Sequence, residues 1–85
     1  MTKLKNNYGD IFYMTEEKKG IACGKKYTQI YLYSEDLGKD YGTNYTNAID
    51  DTQPNIWVPY ELTDNQLTIY NDSSKNISYH FEIIK

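Results

Sequence analysis

Arginine is absent from this chain of 85 residues, and cysteine and histidine occur once each. One cysteine excludes a disulfide within the chain, and one cysteine with one histidine cannot complete the ligand set of a structural zinc site. Cys23 and His80 also make a weak nucleophile pair, because a lone cysteine is more often a small buried hydrophobe and His80 falls on the polar face of its strand. We therefore expect a protein that is not an enzyme and that needs no cofactor and no metal.

A long apolar segment is also missing from the chain. No apolar run approaches the roughly 18 residues that span a bilayer, and residues 1–7 lack the apolar stretch of a secretory signal. The lone thiol suits a reducing compartment. These features predict a cytoplasmic protein.

Alanine and valine are scarce and tyrosine is abundant: the chain has two Ala, one Val and ten Tyr. Tyr, Ile and Thr favour strands, whereas Ala favours helices. The composition predicts a single all-β domain over residues 1–85, with about five mostly antiparallel strands in a compact barrel or sandwich. A preference for Asn, Lys, Ile and Tyr over Arg and Ala is also what AT-rich coding DNA yields, as in low-GC bacteria and their phages.

The spacing of apolar residues and turn formers predicts strands at residues 8–14, 21–33, 56–60, 66–71 and 76–84. The first two strands and the last two strands are expected to form hairpins. We expect residues 1–7 to be frayed and Gly24 to mark a bulge or bend in the second strand. The predicted core is apolar and aromatic, and contains Ile11, Tyr13, Ile30, Leu32, Trp57, Leu67, Ile69, Tyr79, Phe81 and Ile83.

The predicted second strand carries large side chains on both of its faces. Ile30 and Leu32 share one face, and the opposite face carries Tyr27, Tyr31 and Tyr33. Either both faces are covered, as in a central strand, or the tyrosines form an exposed ladder on a chain too small to cover them. The sequence leaves both interpretations open.

Charge is segregated along the chain. Residues 1–33 have six Lys and three acidic residues, residues 34–64 have one Lys and seven acidic residues, and residues 65–85 are balanced. Residues 34–55 are predicted to form a long acidic loop, with a short helical turn at 44–51 capped by Asn44. Such a loop is either a solvated surface or a docking surface for a basic partner.

Our leading hypothesis is that this acidic, aromatic loop docks on a larger host protein with a basic surface. The protein would then be a small phage or mobile-element inhibitor or modulator. Tyr and Trp dominate interface hot spots, and carboxylates meet Lys or Arg on a partner. Surplus aromatic strand surface and an edge strand also predict a weak or moderate homodimer. The predicted partner contacts are Asp36, Asp40, Tyr41, Tyr45, Asp50, Asp51 and Trp57.

The alternative hypothesis is a nucleotide or single-stranded nucleic-acid binder. Side chains two residues apart on one strand face are about 6.5–7 Å apart, close to the reach of a stacked base. The absence of Arg and the net charge of −3 act against phosphate as a ligand. The candidate residues are Lys25, Lys26, Tyr27, Tyr31 and Tyr33.

A minor alternative comes from a resemblance to a known family. Residues 31–38, Tyr-Leu-Tyr-Ser-Glu-Asp-Leu-Gly, resemble the aromatic-x6-Gly corner of the βγ-crystallin family. Residues 64–68 resemble the calcium-ligand stretch of that family, with Ile69 where the family usually has Ser. The resemblance implies a calcium-binding module, although no glycine follows Gly42 to form the corner of a second Greek key.

Overall fold

A computed structural model describes residues 1–15, 18–22, 24–48, 60–70 and 78–85. In these ranges the chain forms eight strands and one short 3-10 helix. The strands are β1 (Thr2–Asn6), β2 (Ile11–Met14), β3 (Lys18–Ala22), β4 (Lys25–Ser34), β5 (Thr43–Ala48), β6 (Tyr60–Leu62), β7 (Gln66–Tyr70) and β8 (Ser78–Ile84), and the 3-10 helix η1 spans Lys39–Tyr41. Among these residues, no helix has the length and apolar character that crossing a membrane requires.

The strands form one antiparallel sheet that curls into a half-barrel. The strand order is β5-β4-β2-β1-β8-β7-β6. One edge of β4 pairs with two strands, with β3 along its first half and with β2 along its end, and the opposite edge pairs with β5. β1 is therefore the central strand, which joins strands β2–β5 to strands β6–β8. The prediction of a mostly antiparallel all-β protein is confirmed. The described residues form eight strands, whereas the sequence predicted about five.

Strands with a clear apolar alternation lie where the sequence predicts them. β7 and β8 form the predicted C-terminal hairpin, with Leu67 opposite Phe81 on the buried face. β2 pairs with β4, with Met14 opposite Leu32, but β3 lies between them in the chain, so the predicted hairpin of these two strands is wrong. Successive side chains of a strand point to opposite faces, so alternation in the sequence is enough to locate such strands.

The N-terminal segment is ordered, and the prediction that it is frayed is wrong. Thr2–Asn6 pairs with β2 on one side and with β8 on the other. Leu4 lies opposite Phe12 and Ile83 and is completely buried. Because Leu4 is the only buried side chain of this strand and stands between two lysines, the alternation is too weak to reveal the strand in the sequence.

The predicted second strand, residues 21–33, is interrupted: residues 21–22 end β3, residues 25–33 belong to β4, and the two strands form a hairpin. Gly24 has a φ of 75° and lies in the turn between β3 and β4. The pairing runs from Lys18 opposite Gln29 to Ala22 opposite Lys25. Glycine adopts a positive φ without steric cost, so Gly24 reverses the chain here.

The predicted acidic loop is partly β-structure. Thr43–Ala48 forms β5 along the free edge of β4, with Tyr45 opposite Ile30, so the helical turn predicted to start at Asn44 is wrong. A mostly polar strand at a sheet edge has no apolar alternation that would reveal it. Residues 49–55 of the predicted loop lie outside the described residues, as do residues 56–59 of the predicted third strand, including Trp57.

The core lies on the inner face of the half-barrel. Phe12, Tyr45 and Ile83 are partly buried and pack against it. Five of the predicted core residues are confirmed as buried, namely Ile30, Leu32, Leu67, Ile69 and Phe81. Among the described residues, the buried apolar side chains are Leu4, Met14, Ile30, Leu32, Tyr60, Leu67, Ile69 and Phe81.

Three other predicted core residues are not buried. β2 turns Phe12 and Met14 inward, so Ile11 and Tyr13 lie on the outer face, contrary to prediction. All four residues of β2 are large and apolar or aromatic, and the sequence alone does not reveal which pair faces the core. Tyr79 was also predicted in the core and is 56% exposed, because it lies near the end of β8.

A side chain joins the two edge strands of the sheet. The Asn47 carboxamide on β5 accepts the amide proton of Tyr60 at 2.7 Å and donates to the Tyr60 carbonyl oxygen. The Tyr60 hydroxyl crosses the inner face and donates to Thr28 Oγ1 at 2.9 Å. An asparagine amide carries one donor group and one acceptor, so it can replace the backbone of a neighbouring strand. These bonds hold the two ends of the curled sheet together.

Candidate binding cleft

The turn between β4 and β5, residues 35–42, is held by local hydrogen bonds. Ser34 Oγ accepts the amide protons of Asp36 at 3.1 Å and Leu37 at 3.3 Å, and the Gly38 amide donates to the Ser34 carbonyl at 2.9 Å. A serine hydroxyl commonly satisfies the backbone in this way where a strand ends. Gly38 has a φ of 86°, a conformation that favours glycine. The turn therefore has a defined shape.

Tyr31 holds the second half of this turn from the outer face of β4. Its hydroxyl accepts the Gly42 amide proton at 2.9 Å and donates to the Lys39 carbonyl oxygen. The ring lies so close to residue 42 that a Cβ there would overlap it. Glycine at position 42 thus lets the ring hold η1, and with it Tyr41, against the sheet.

The turn forms one wall of a cleft of about 300 Å³. Tyr41 is 74% exposed, and Leu37 and Tyr79 are also exposed around the cleft. Phe12 and Phe81 pack edge to face deeper in the cleft, with ring centroids 5.0 Å apart. The cleft is predominantly aromatic, and its lining consists of Phe12, Leu32, Tyr33, Ser34, Leu37, Tyr41, Thr43, Tyr45, Tyr79 and Phe81.

The cleft is neutral and its rim is acidic. Burial raises the pKa of Tyr45, a hydrogen bond with Thr43 opposes that shift, and the nearby Tyr79 phenol raises the pKa further. Tyr45 therefore keeps its proton at neutral pH. None of the described residues that line the cleft carries a formal charge at that pH, whereas Asp36 and Asp40 are exposed, each one residue before a lining residue, with Lys39 also exposed between them.

The structure brings together four of the seven predicted partner contacts. Tyr41 and Tyr45 line the cleft, and Asp36 and Asp40 flank it. Tyr45 is half-buried against the core instead of standing on a loop surface. The other three predicted contacts lie outside the described residues: Asp50, Asp51 and Trp57.

Sequence reasoning missed four side chains that complete the cleft. Phe12, Tyr79 and Phe81 come from strands remote in sequence, and the pairing of β2 and β8 with β1 brings them together. Leu37 gives a local signal, because it is a single large apolar residue in an otherwise polar turn.

The tyrosines of the alternative ligand site lie on the outer face of β4 and are half-buried. Tyr31 and Tyr33 have ring centroids 6.1 Å apart, and Tyr13 extends this cluster with its ring 5.5 Å from that of Tyr33. Tyr27 lies apart from them, with its ring over Gly20 on β3. The outer face is therefore an aromatic surface in which two of the rings also cover glycines.

The lysines of that alternative site are less well placed beside the tyrosines. Lys26 is exposed and, by strand alternation, points to the opposite side of β4 from Tyr27, whereas Lys25 pairs with Ala22 at the start of the strand. Lys3 on β1 lies directly opposite Tyr13 and is the cation that pairing brings to the cluster.

Metal ligands are not clustered in the described part of the chain. Within it, no group of three or more His, Cys, Asp and Glu side chains could hold a metal ion. Asp64, in the stretch that resembles a calcium-ligand motif, is exposed in the turn between β6 and β7.

Comparison of the chain with known protein families, curated proteins and solved structures finds no match.

Proposed function

We propose that the protein is a non-enzymatic binding protein that docks on a larger host protein through the aromatic cleft and its acidic rim. In this proposal it acts in the cytoplasm as a small inhibitor or modulator of phage or mobile-element type. The observation that carries the proposal is the cleft itself, which has Leu37 and Tyr41 exposed on its rim and Asp36 and Asp40 beside them.

The cleft resembles the centre of a protein interface in composition. Aromatic residues are enriched there, and Tyr is among the residue types that dominate binding energy. The hydrogen bonds of Ser34 and Tyr31 hold the turn before any partner arrives. Docking therefore requires little ordering of this segment, which favours affinity.

The two rim carboxylates suit a partner with a basic surface. Exposed charges at the edge of an interface act mainly on the rate of association and on its salt dependence. We expect Asp36 and Asp40 to steer the encounter, while the cleft provides the apolar contact.

The test compares two exposed tyrosines, one at the cleft and one remote from it. Tyr41 is 74% exposed at the rim, and Tyr8 is 90% exposed in the turn between β1 and β2. A partner captured from the native source and then purified is titrated by calorimetry with the wild type, Tyr41→Ala and Tyr8→Ala. A hot spot at Tyr41 predicts a loss of affinity of about 30-fold or more.

Tyr8→Ala is the matched control and should bind like the wild type. Equal affinity of all three proteins for the purified partner would contradict docking through the cleft. Loss of affinity in both variants would indicate a different surface that includes the turn at Tyr8.

A second candidate function uses the outer face of β4. The Tyr13, Tyr33 and Tyr31 cluster with Lys3 nearby favours a nucleotide or a short single strand stacked on these rings. Glu35, which accepts the Tyr13 hydroxyl proton at 2.9 Å, opposes a phosphate there. This function predicts salt-sensitive quenching of tyrosine fluorescence by nucleotides or oligothymidine, which Tyr33→Leu should abolish; no quenching would exclude it.

A further inference from the structure

We infer that the cleft is a cation site, and that the partner group it receives is the side chain of a lysine or an arginine. This inference rests on the proposed function, because it names the chemistry of the group that enters the cleft. An aromatic ring attracts a cation through the negative charge of its face. Six aromatic side chains line the cleft: Phe12, Tyr33, Tyr41, Tyr45, Tyr79 and Phe81.

The composition of the lining favours a cation over an anion. Among the described residues no lysine lines the cleft, so none of them repels an ammonium or a guanidinium group there or pairs with a carboxylate. Tyr45 and Tyr79 both line the cleft, and burial first, then the charge of the Tyr79 phenol, raises the pKa of Tyr45. Phenol oxygens accept hydrogen bonds, and an ammonium group has three donors for them.

The rim adds a second attraction for the same charge. Asp36 and Asp40 are exposed on the turn that carries Leu37 and Tyr41, and with Glu35 they outnumber the one lysine of that turn, Lys39, which is also exposed. A lysine or arginine that enters the cleft can keep its aliphatic stem against Leu37 while its charged group lies among rings and carboxylates. An apolar side chain of equal length would gain only the contact with Leu37.

The test uses two small probes that differ in charge and little else. N-acetyl-lysinamide and N-acetyl-norleucinamide share an aliphatic side chain, but only the first carries an ammonium group. Each is titrated into the intact protein, and binding is followed by the NMR shifts of the amides of Leu37, Tyr41 and Thr43. We expect the lysine probe to bind more tightly than the norleucine probe, by about 2- to 5-fold for each ring that it contacts.

Two substitutions at Tyr79 distinguish the contribution of the aromatic ring from the contributions of the hydroxyl group and of side-chain size. Tyr79 is 56% exposed, so its replacement leaves the core intact. Tyr79→Phe keeps the ring and should retain most of the preference for the lysine probe, whereas Tyr79→Leu should lose part of it. Tyr41→Leu is the second variant, and far-UV circular dichroism verifies the fold of each.

Two outcomes would overturn the cation site. Equal or tighter binding of the norleucine probe would make the cleft an apolar site, and docking through the cleft would still stand. Absence of binding by both probes up to about 100 mM would overturn the inference as well, since three contacts of about 2- to 5-fold each correspond together to a Kd of about 100 mM or less. The Tyr41→Ala titration with the purified partner tests the proposed function separately.

Discussion

Tyr13 and Glu35 form a pair on the outer face that links the fold to pH. The Tyr13 hydroxyl donates to Glu35 Oε1 at 2.9 Å, and this bond, with desolvation and the charge of Glu35, raises the pKa of Tyr13. Desolvation also raises the pKa of Tyr45 and of Tyr70, and Glu61 adds to the shift at Tyr70. A phenol with a higher pKa in the folded chain binds its proton more tightly when folded. Its contribution to stability is complete below the unfolded pKa of about 10 and is lost as the pH rises through the folded pKa.

We therefore expect the free energy of unfolding to fall as the pH rises above about 10. Glu35→Gln should lower the pKa of Tyr13 towards its ordinary value, because the amide oxygen can still accept the hydrogen bond but the negative charge is gone. Phenolate absorbance measured as a difference against Tyr13→Phe isolates this one titration. An unchanged pKa of Tyr13 in Glu35→Gln would show that Glu35 does not act on it in solution.

At the scale of strands, the contact between the edge strands β5 and β6 depends on one side chain. Asn47→Ala removes both hydrogen bonds to the backbone of Tyr60, which is buried. A buried polar group that loses its partner costs about 1–3 kcal/mol, and we expect the free energy of unfolding to fall by that amount. Asn44→Ala is the control, since Asn44 lies exposed on the same strand and should change stability by less than about 0.5 kcal/mol.

Urea unfolding of the two variants, with hydrogen exchange at the Tyr60 amide, measures this contribution. Faster exchange at Tyr60 in Asn47→Ala alone would locate the effect at the seam between β5 and β6. Similar stability of Asn47→Ala and Asn44→Ala would mean that the seam contributes nothing to the fold.

How much of the fold can be predicted from sequence depends on the strand. β7 and β8 alternate apolar and polar residues, and sequence analysis locates both of them and their pairing. β1 and β5 are mostly polar and become strands only because β1 is paired on both sides and β5 lies against β4. Tertiary pairing of this kind leaves no local pattern.

The candidate site can likewise be predicted where its features are local in the sequence, and not where they depend on the pairing of distant strands. The acidic turn and Tyr41 are visible in the sequence, because charge and aromatic surplus are properties of one segment. Phe12, Tyr79 and Phe81 join the site only through the strand order, which composition and alternation do not specify. The packing of the tyrosine face of β4 also depends on glycines in other segments. Tyr27 lies over Gly20 and Tyr31 lies over Gly42, where a larger residue would collide with the ring.

At the scale of the whole molecule, β4 separates two poles of opposite charge. β4 has ten residues, and at about 3.3 Å per residue it spans roughly 30 Å. The hairpin at its start exposes Lys19 and Lys26 around Ile21, which is 73% exposed. The turn at its end exposes Asp36 and Asp40 beside the cleft. Each pole thus combines an apolar group with charge, and the two charges are opposite.

We expect these poles to associate weakly head to tail, which is our proposal for the self-association that the sequence suggests. Such a contact uses different surfaces on the two copies, so it is heterologous. Lys19→Gln with Lys26→Gln removes the basic pole, and Asp36→Asn with Asp40→Asn removes the acidic pole. Each double variant should sediment as a 10.0 kDa monomer at high micromolar concentration, whereas the wild type should self-associate and lose this property as salt rises.

Mixing the two double variants distinguishes this arrangement from a symmetric dimer. The lysine-to-glutamine variant keeps the acidic pole with Asp36 and Asp40, and the aspartate-to-asparagine variant keeps the basic pole with Lys19 and Lys26. The one intact pole of each protein should therefore pair with the other and form a one-to-one complex that cannot extend. A symmetric dimer places the same patch of both copies in contact, so mixing would not restore it in this way. A wild type that remains monomeric at low salt would contradict the head-to-tail contact, and so would a mixture that shows no complex.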